Sequence, residues 1–246
     1  VTPDGQALQD STPLLERLEG VFPEPSVHPD GPTERFLSCL MEEFGDEWGN
    51  KWMFHYRWAR PVDQESAAGR IARGMAPMAD EAAFAATAAQ VRARMVDRVW
   101  FVGSNEGTAP LIEASFLEAI GLLDRHFDRH RYLFGDRPAF GDFGLWGQLY
   151  CAWTDPTAGA LIEARAPQLL AWIQRMLWPR VEGGWASWAE LAPTLGPVLT
   201  EQVGAHFMPW TVANAAAIAA GVESFRVELD GAEWTQKPQK YHARSL

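Results

Sequence analysis

The sequence has few cysteines and no long apolar segment. Its 246 residues include only two cysteines, Cys39 and Cys151, which lie far apart in the chain. Two cysteines do not make a disulfide framework for a chain of this length, and no CxxC spacing is present for redox or zinc chemistry. No uninterrupted apolar run approaches the length that spans a bilayer. These absences predict a cytoplasmic protein without a membrane partner.

Positive charge is also scarce. The chain has 21 Lys and Arg against 32 Asp and Glu, a formal net charge of −11. An acidic surface repels phosphate backbones, and no basic cluster interrupts the pattern, so we expect no nucleic-acid partner. The sequence also lacks a phosphate-binding loop, a Gly-rich dinucleotide turn and an ordered Ser, His and Asp set, which argues against those chemistries.

Aromatic residues are abundant. The chain has 12 Trp and 13 Phe, and 47% of its residues are hydrophobic, which is enough for a substantial core. Because aromatic side chains bury large areas, we expect an aromatic-rich interior that can also line a pocket.

Apolar residues recur at three- and four-residue steps over most of the chain, a period typical of helices. A proline-rich segment, "FPEPSVHPDGP", precedes this helical region and has no apolar period, which indicates a linker. Near the C-terminus, "FRVELDGAEW" alternates apolar and polar residues around Asp230-Gly231, which predicts a β-hairpin. Helices are predicted over 33–58, 80–102, 109–130, 142–153, 167–178 and, broken near Pro209, 197–222.

The N-terminal segment predicts a small hairpin followed by a helix. Val1–Leu8 contains "TPDG", a strong turn signal with short strand-like flanks. Ser11 is a suitable N-cap for the following helix, whose apolar residues are expected to face inward: Leu14, Leu15, Leu18 and Phe22.

Two segments together resemble the glutathione S-transferase superfamily. "YLFGDRPAFGDFGLWGQL", Tyr132–Leu149, resembles the capping segment of its helical C-terminal domain, with Asp142 in the first turn of a buried helix. "LQDSTPLLERLE", Leu8–Glu19, resembles the end of its thioredoxin-like N-terminal domain. Family members usually have Ser or Thr where this chain has Ala139, so we expect the reciprocal capping box to be lost.

The resemblance covers roughly Val1–Trp178 and implies a mainly α fold. It implies a glutathione S-transferase C-terminal-like bundle, preceded by an incomplete thioredoxin-like hairpin and helix and followed by an extension with a short hairpin. The expected divisions are a thioredoxin-like remnant at 1–24, a linker at 25–32, the helical domain at 33–181 and the extension at 182–246.

The resemblance also implies a glutathione site at Gln9, Asp10 and Ser11. A hydroxyl and backbone N–H groups at a helix N-terminus suit a carboxylate, and an adjacent acid suits an ammonium group, so the γ-glutamyl end of glutathione fits both. The alternative is that Ser11 only caps the helix and Asp10 is a turn residue.

A second pocket, for an apolar substrate, is implied at the end of the first bundle helix. In "WGNKWMFHYRW" the pocket candidates are Trp52, His55 and Tyr56. The alternative, which holds for most rings of this segment, is ordinary core packing.

Two other polar groups are given structural interpretations. His126 and His130 have the spacing of two metal ligands on a helix, but no third ligand lies nearby, so no metal site is predicted. The acidic residues Glu42, Glu43, Asp46 and Glu47 are expected to form a solvent-facing or dimer-facing surface.

The function implied by the resemblance is that of a glutathione transferase. The intact protein would use glutathione thiolate, as co-substrate, against a small apolar electrophile, and would form a homodimer. The group that activates the thiol lies in the family near the end of the first strand of the thioredoxin-like domain, and no such residue is found here. We therefore expect this chain to be a fragment. Its sequence does not identify the catalytic residue. The alternatives are a non-catalytic binding or scaffold protein of the same fold and a helical interaction domain.

Overall fold

The computed structural model describes residues 5–239, which are mainly helical and end in a two-stranded antiparallel sheet. No helix among these residues has the length and apolar character needed to cross a bilayer. The predicted mainly α class with a C-terminal two-stranded hairpin is confirmed. The elements are α1 (Ser11–Val21), α2 (Pro32–Phe44), α3 (Asn50–Ala59), α4 (Pro61–Met75), α5 (Glu81–Val96), α6 (Ala109–Phe127), α7 (Phe140–Trp153), α8 (Pro156–Arg165), α9 (Pro167–Arg175), α10 (Trp188–Pro197), α11 (Met208–Ala220), β1 (Phe225–Leu229) and β2 (Ala232–Gln236).

Helices α2 and α3 form one continuous rod, joined by a π-helical segment at Gly45–Gly49. The rod ends at Arg60, whose backbone is extended (φ −119°, ψ 143°) because the following proline disfavours the helical region. Pro61 then begins α4, which the sequence pattern does not predict because alanines provide most of its buried face. A second π-helical segment, Val198–Phe207, joins α10 to α11, so the helical path continues past Pro209.

Helices α2 and α7 are in backbone contact. A Cβ atom on Gly144 would lie 2.7 Å from Cγ of Glu42, and one on Gly45 would lie 2.5 Å from the Leu145 backbone. Any larger side chain at these positions would push the two helices apart. Glycine at these two positions therefore permits this close contact, which encloses the middle of the rod.

Asp142 organises the loop before α7. Its Oδ2 accepts from the Ala139 N–H at 2.8 Å, and its Oδ1 accepts from the Leu133 N–H at 3.0 Å and from Trp172 Nε1 at 2.8 Å. Half of the capping box is thus retained, while Ala139 has no side-chain acceptor to complete it. Burial raises the pKa of Asp142 to about 7 in spite of these three donors.

The N-terminal expectations are partly wrong. Residues 1–4 of the predicted hairpin lie outside the described residues, and 5–9 form no strand. Asp10, not Ser11, occupies the N-cap position of α1. Leu14, Leu18 and Phe22 are 36%, 50% and 66% exposed, since no element of the described chain covers the apolar face of α1.

The C-terminal hairpin has the predicted position and turn. Phe225 pairs with Gln236 and Leu229 with Ala232, and Asp230 and Gly231 both have positive φ, as a tight two-residue turn requires. Leu229 and Trp234 are fully buried. The extension therefore packs into the bundle through one face of a two-stranded sheet.

The role of Asp142 gives a stability prediction. Asp142→Ala leaves three buried N–H donors without their acceptor, so we expect the free energy of unfolding to fall by about 3 kcal/mol. The matched control is Asp97→Ala, at an exposed position after α5, with an expected change within about 0.5 kcal/mol. Urea unfolding followed by circular dichroism measures both. Equal values for the two variants would contradict the organising role of Asp142.

Candidate functional site

The start of α1 presents the first predicted group of site residues. Gln9, Asp10 and Ser11 are exposed, and in the described part of the chain none of their side chains makes a hydrogen bond. Asp10 has φ 85° and ψ 139°, a conformation that costs energy for a residue with a side chain. The interpretation of Ser11 as an N-cap is therefore wrong, and the hydroxyl is available to another group.

Acidic side chains of the rod lie beside the start of α1. Thr12 Oγ1 donates to Glu42 Oε1 at 2.7 Å, and Gln148 Nε2 donates to Asp46 Oδ1 at 3.1 Å. Burial raises the pKa of Glu42 to about 7, and the charges of Glu43, Asp46 and Asp10 add to the effect. Burial also raises the pKa of Asp46. The region combines the N-terminal dipole of a helix with a concentration of negative charge.

The expectation that this acidic group faces solvent is wrong for two of its members. Glu42 is 2% exposed and Glu47 is 6% exposed. Gly144 packs against Glu42 and excludes solvent from this side of the rod, which the sequence pattern predicts to be exposed. The acidic face is consequently an internal surface along part of its length.

The second predicted group lies on α3 and is buried. Trp52, His55 and Tyr56 are 1%, 3% and 2% exposed. Trp52 Nε1 and Trp48 Nε1 both donate to Ser115 Oγ at 3.0 Å, and Ser115 Oγ donates to Gln202 Oε1 at 2.8 Å. These contacts join the rod to α6 and to the second π-helical segment. The Trp52 ring is thus part of the core.

Tyr56 is equally enclosed. Its ring centroid lies 4.8 Å from that of Phe116, and the guanidinium of Arg60 lies 5.2 Å from it. Burial raises the pKa of the Tyr56 hydroxyl to about 12. The tyrosine is therefore neutral at physiological pH and does not supply a phenolate.

His55 connects the interior to the surface by hydrogen bonds. Its Nε2 lies 3.1 Å from Glu113 Oε1, and its Nδ1 lies 2.8 Å from Ser104 Oγ. Burial raises the pKa of Glu113, but bonds from His55 and Arg60 outweigh it and lower the pKa overall. Since an ionised Glu113 only accepts, Nε2 carries the proton and the Ser104 hydroxyl donates to Nδ1. Burial lowers the pKa of His55, so the ring is neutral at pH 7.

The two predicted groups do not come together. Thr12 contacts the rod at Glu42, whereas His55 follows 13 residues later on the same rod, about 20 Å along its axis. A single small molecule does not contact both, and the described residues place the groups at opposite parts of one helix.

The histidines at the end of α6 are structural. His126 is fully buried, with Nδ1 2.8 Å from Thr194 Oγ1 and Nε2 3.1 Å from the Leu133 carbonyl oxygen. Burial lowers the pKa of His126 to about 3. Its ring is stacked on that of His130, and among residues 5–239 no three His, Cys, Asp or Glu side chains form a metal-binding group.

Residues 79–175, from just before α5 to the end of α9, match the family model of the glutathione S-transferase C-terminal domain. This match supports membership of the glutathione S-transferase superfamily. The matched segment contains the Asp142 loop that first indicated the resemblance. A search of curated proteins gives no match to the chain.

The sequence interpretation does not anticipate two buried ionisable residues, Glu42 and Lys51. Glu42 is assigned there to the surface, and Lys51 is not considered, although it is 0% exposed. The signal for Lys51 is its spacing: it follows Trp48 by three residues and therefore shares its helix face. The burial of Glu42 depends on Gly144 of α7, so the sequence of α2 alone does not predict it.

The burial of Glu42 predicts a pH-dependent stability. Its pKa in the folded chain, about 7, lies above the value near 4.3 of an unfolded chain, so the folded state binds this proton more tightly. This contribution is fully present below about pH 4 and is lost as the pH rises through 7. Glu42→Gln removes the titration and can keep the bond from Thr12. We expect its free energy of unfolding to fall less than that of the wild type between pH 5 and pH 8.

Urea unfolding at four pH values in this range measures the difference. Glu223→Gln, at an exposed position after α11, is the matched control and should follow the wild type. Parallel pH curves for Glu42→Gln and the wild type would contradict the assignment of this proton to Glu42.

Proposed function

We propose that this protein is a glutathione-using transferase and that the start of α1 binds the γ-glutamyl end of glutathione. The observation that carries the proposal is the exposed start of α1, where Asp10 and Ser11 are unused by the fold, in a chain of this superfamily. Gln9 lies beside them and is equally exposed.

The chemistry of this end of glutathione supports the assignment. Its α-carboxylate would accept from the Ser11 hydroxyl and from backbone N–H groups of the first turn of α1, which the helix dipole favours. Its α-ammonium would lie by Asp10, on the side where the carboxyl groups of Glu42 and Asp46 lie. A zwitterionic amino-acid group therefore matches both charges of the site.

The exposed face of α1 supports a further part of the proposal. Leu14, Leu18, Val21 and Phe22 are 36–66% exposed along one helix, which is a large apolar surface to leave in water. We propose that a thioredoxin-like domain, with residues 1–24 as its last part, covers this surface. The group that activates the glutathione thiol would belong to that domain, so the catalytic residue is not assigned here.

For the apolar electrophile, we keep Trp52, His55 and Tyr56 as the proposed pocket residues. At exposures of 1–3% they are enclosed in this chain, so a substrate would reach them only if the neighbouring side chains moved. We further propose a cytoplasmic homodimer, in accord with the family and with the two free cysteines.

A non-catalytic scaffold is the second candidate. The observation that favours it is the same burial of Trp52, His55 and Tyr56, because a wall of core residues needs no substrate. An apolar side chain at the thiol-activating position of the intact protein would decide for this candidate, and a Tyr, Ser or Cys would decide for the enzyme.

The glutathione site predicts a specific loss of affinity. In the intact protein, Ser11→Ala removes one hydrogen bond to a charged carboxylate, which is worth about 1.5–3 kcal/mol, so we expect the Kd for glutathione to rise about tenfold or more. Asp10→Asn should weaken binding in the same direction by reducing the attraction for the ammonium group. Isothermal titration calorimetry measures both.

Ser66→Ala on α4 is the control for these variants, since Ser66 bonds only to Arg70 in the described chain. It should bind glutathione as the wild type does. Unchanged affinity in Ser11→Ala, with the thermal midpoint also unchanged, would show that Ser11 has no part in binding.

A further inference from the structure

Lys51 is enclosed by tryptophan rings. Its Nζ lies 3.6 Å from the ring centroid of Trp210 and 5.6 Å from those of Trp48 and Trp234. Its hydrogen bond is to the Val102 carbonyl oxygen at 3.4 Å, and the residue is 0% exposed. We call this group, Lys51 with Trp48, Trp210 and Trp234, the lysine cage.

Among residues 5–239, no side chain forms an ion pair with the lysine of the cage. Burial alone holds the pKa of Lys51 well below the usual value. Burial therefore weakens proton binding at Nζ relative to an amine in water. The faces of the three rings attract a cation and offset part of the cost of protonation, but a buried charge without an ionic partner is still less favourable than one in water.

The C-terminal hairpin closes one side of the cage. Trp234 belongs to β2, and Gln236 Oε1 accepts from Trp210 Nε1 at 2.9 Å and from Trp234 Nε1 at 3.1 Å. Gln236 Nε2 donates to the Phe101 carbonyl oxygen at 3.0 Å. The strand rests directly on Gly103, where a Cβ atom would lie 2.4 Å from the Trp234 ring.

Among the elements around Lys51, the hairpin is the one that separates at least cost. Trp48 and Lys51 belong to the rod, Trp210 to α11 and Val102 to a short 3₁₀ turn, Val99–Val102, so these positions are fixed by helical backbone bonds and the core. The hairpin has two strands of five residues, a size that depends on packing for its stability. Local opening follows the weakest such unit.

We propose that the β1–β2 hairpin is a cover over Lys51 that opens as the amine takes up a proton. The closed state binds the proton weakly because Nζ is buried, whereas an opened hairpin lets water reach Nζ. Acidification thus favours the open state and exposes Trp48 and Trp210 on this face of the bundle.

The direction and slope follow from proton linkage. With the hairpin open, Lys51 has an ordinary pKa near 10.4, and with it closed the pKa is far lower. Between these two values each opening binds about one proton, so the ratio of open to closed molecules rises about tenfold for each unit that the pH falls. Below the lower value the ratio becomes constant.

Other titratable groups near the cage act in a different pH range. His55 on α3 is bonded to Ser104 and Glu113, and His206 is stacked on Trp48 with centroids 5.6 Å apart. Burial lowers the pKa of both rings, so both are neutral above pH 7. On the hairpin, Arg226 pairs with Glu233 and Glu228 is exposed. On the rod, Glu47 precedes Trp48, and Lys51 pairs with none of these groups.

Hydrogen exchange between pH 7 and pH 9 tests the proposal. After correction for the intrinsic exchange rates, protection of the amides in 225–236 should fall by up to about tenfold for each unit of decreasing pH. Amides of α6, whose backbone bonds lie within that helix and do not involve the hairpin, should show no such slope. Lys51→Met should abolish the slope of the hairpin. Lys237→Met, which removes an exposed lysine beside Trp100, is the matched control and should keep it.

Two results would overturn the proposal. A hairpin slope that persists in Lys51→Met assigns the proton elsewhere, and an equal slope in α6 shows that Lys51 is reached only through global unfolding. If Lys51→Met fails to fold, the wild-type protein alone tests the proposal, by the pH dependence of amide protection in the hairpin and in α6. A dependence confined to the hairpin supports the cover, and any other pattern excludes it.

Discussion

The backbone contact between α2 and α7 is the constraint on which the rest of the bundle depends. Gly45 and Gly144 bring the two helices to a separation that no larger residue permits. The contact fixes α7, and with it the loop that Asp142 holds through three hydrogen bonds. It also encloses Glu42, so the ionisation of this carboxyl group depends on helix packing.

The long rod of α2 and α3 links the proposed binding region to the core. At one end, Glu42 receives the hydroxyl of Thr12 from α1. Further along, Trp48 and Trp52 share Ser115, and Lys51 lies in its cage of rings. Because one continuous helix carries all of these groups, it contacts both the start of α1 and the C-terminal hairpin.

Much of the fold could be predicted from local patterns. The three- and four-residue period locates the rod, α5, α6, α7 and α9, and the Asp230-Gly231 turn locates the hairpin. Helix α4 escapes prediction because alanine gives a weak apolar signal, and the π-helical segments escape because they insert residues without ending a helix. The outward face of α1 escapes because the period shows where apolar residues lie but not whether an element covers them.

The candidate site was predictable only where its signal is local. The sequence around Asp10 and Ser11 indicates a helix start, and the structure shows an unused one. The burial of Glu42 depends on Gly144, about a hundred residues away, and the enclosure of Lys51 depends on rings from α11 and β2. No spacing within the rod carries that information, since such burial arises from tertiary contacts.

The uncovered apolar side chains of α1 have a practical consequence for handling this polypeptide. They form an apolar patch on a protein whose net charge of −11 makes its copies repel one another. Salt screens that repulsion over distances of about 10 Å, while it leaves the apolar attraction in place. We therefore expect self-association of the chain to depend on ionic strength. The chain should stay dispersed in dilute buffer and associate through these patches in concentrated salt.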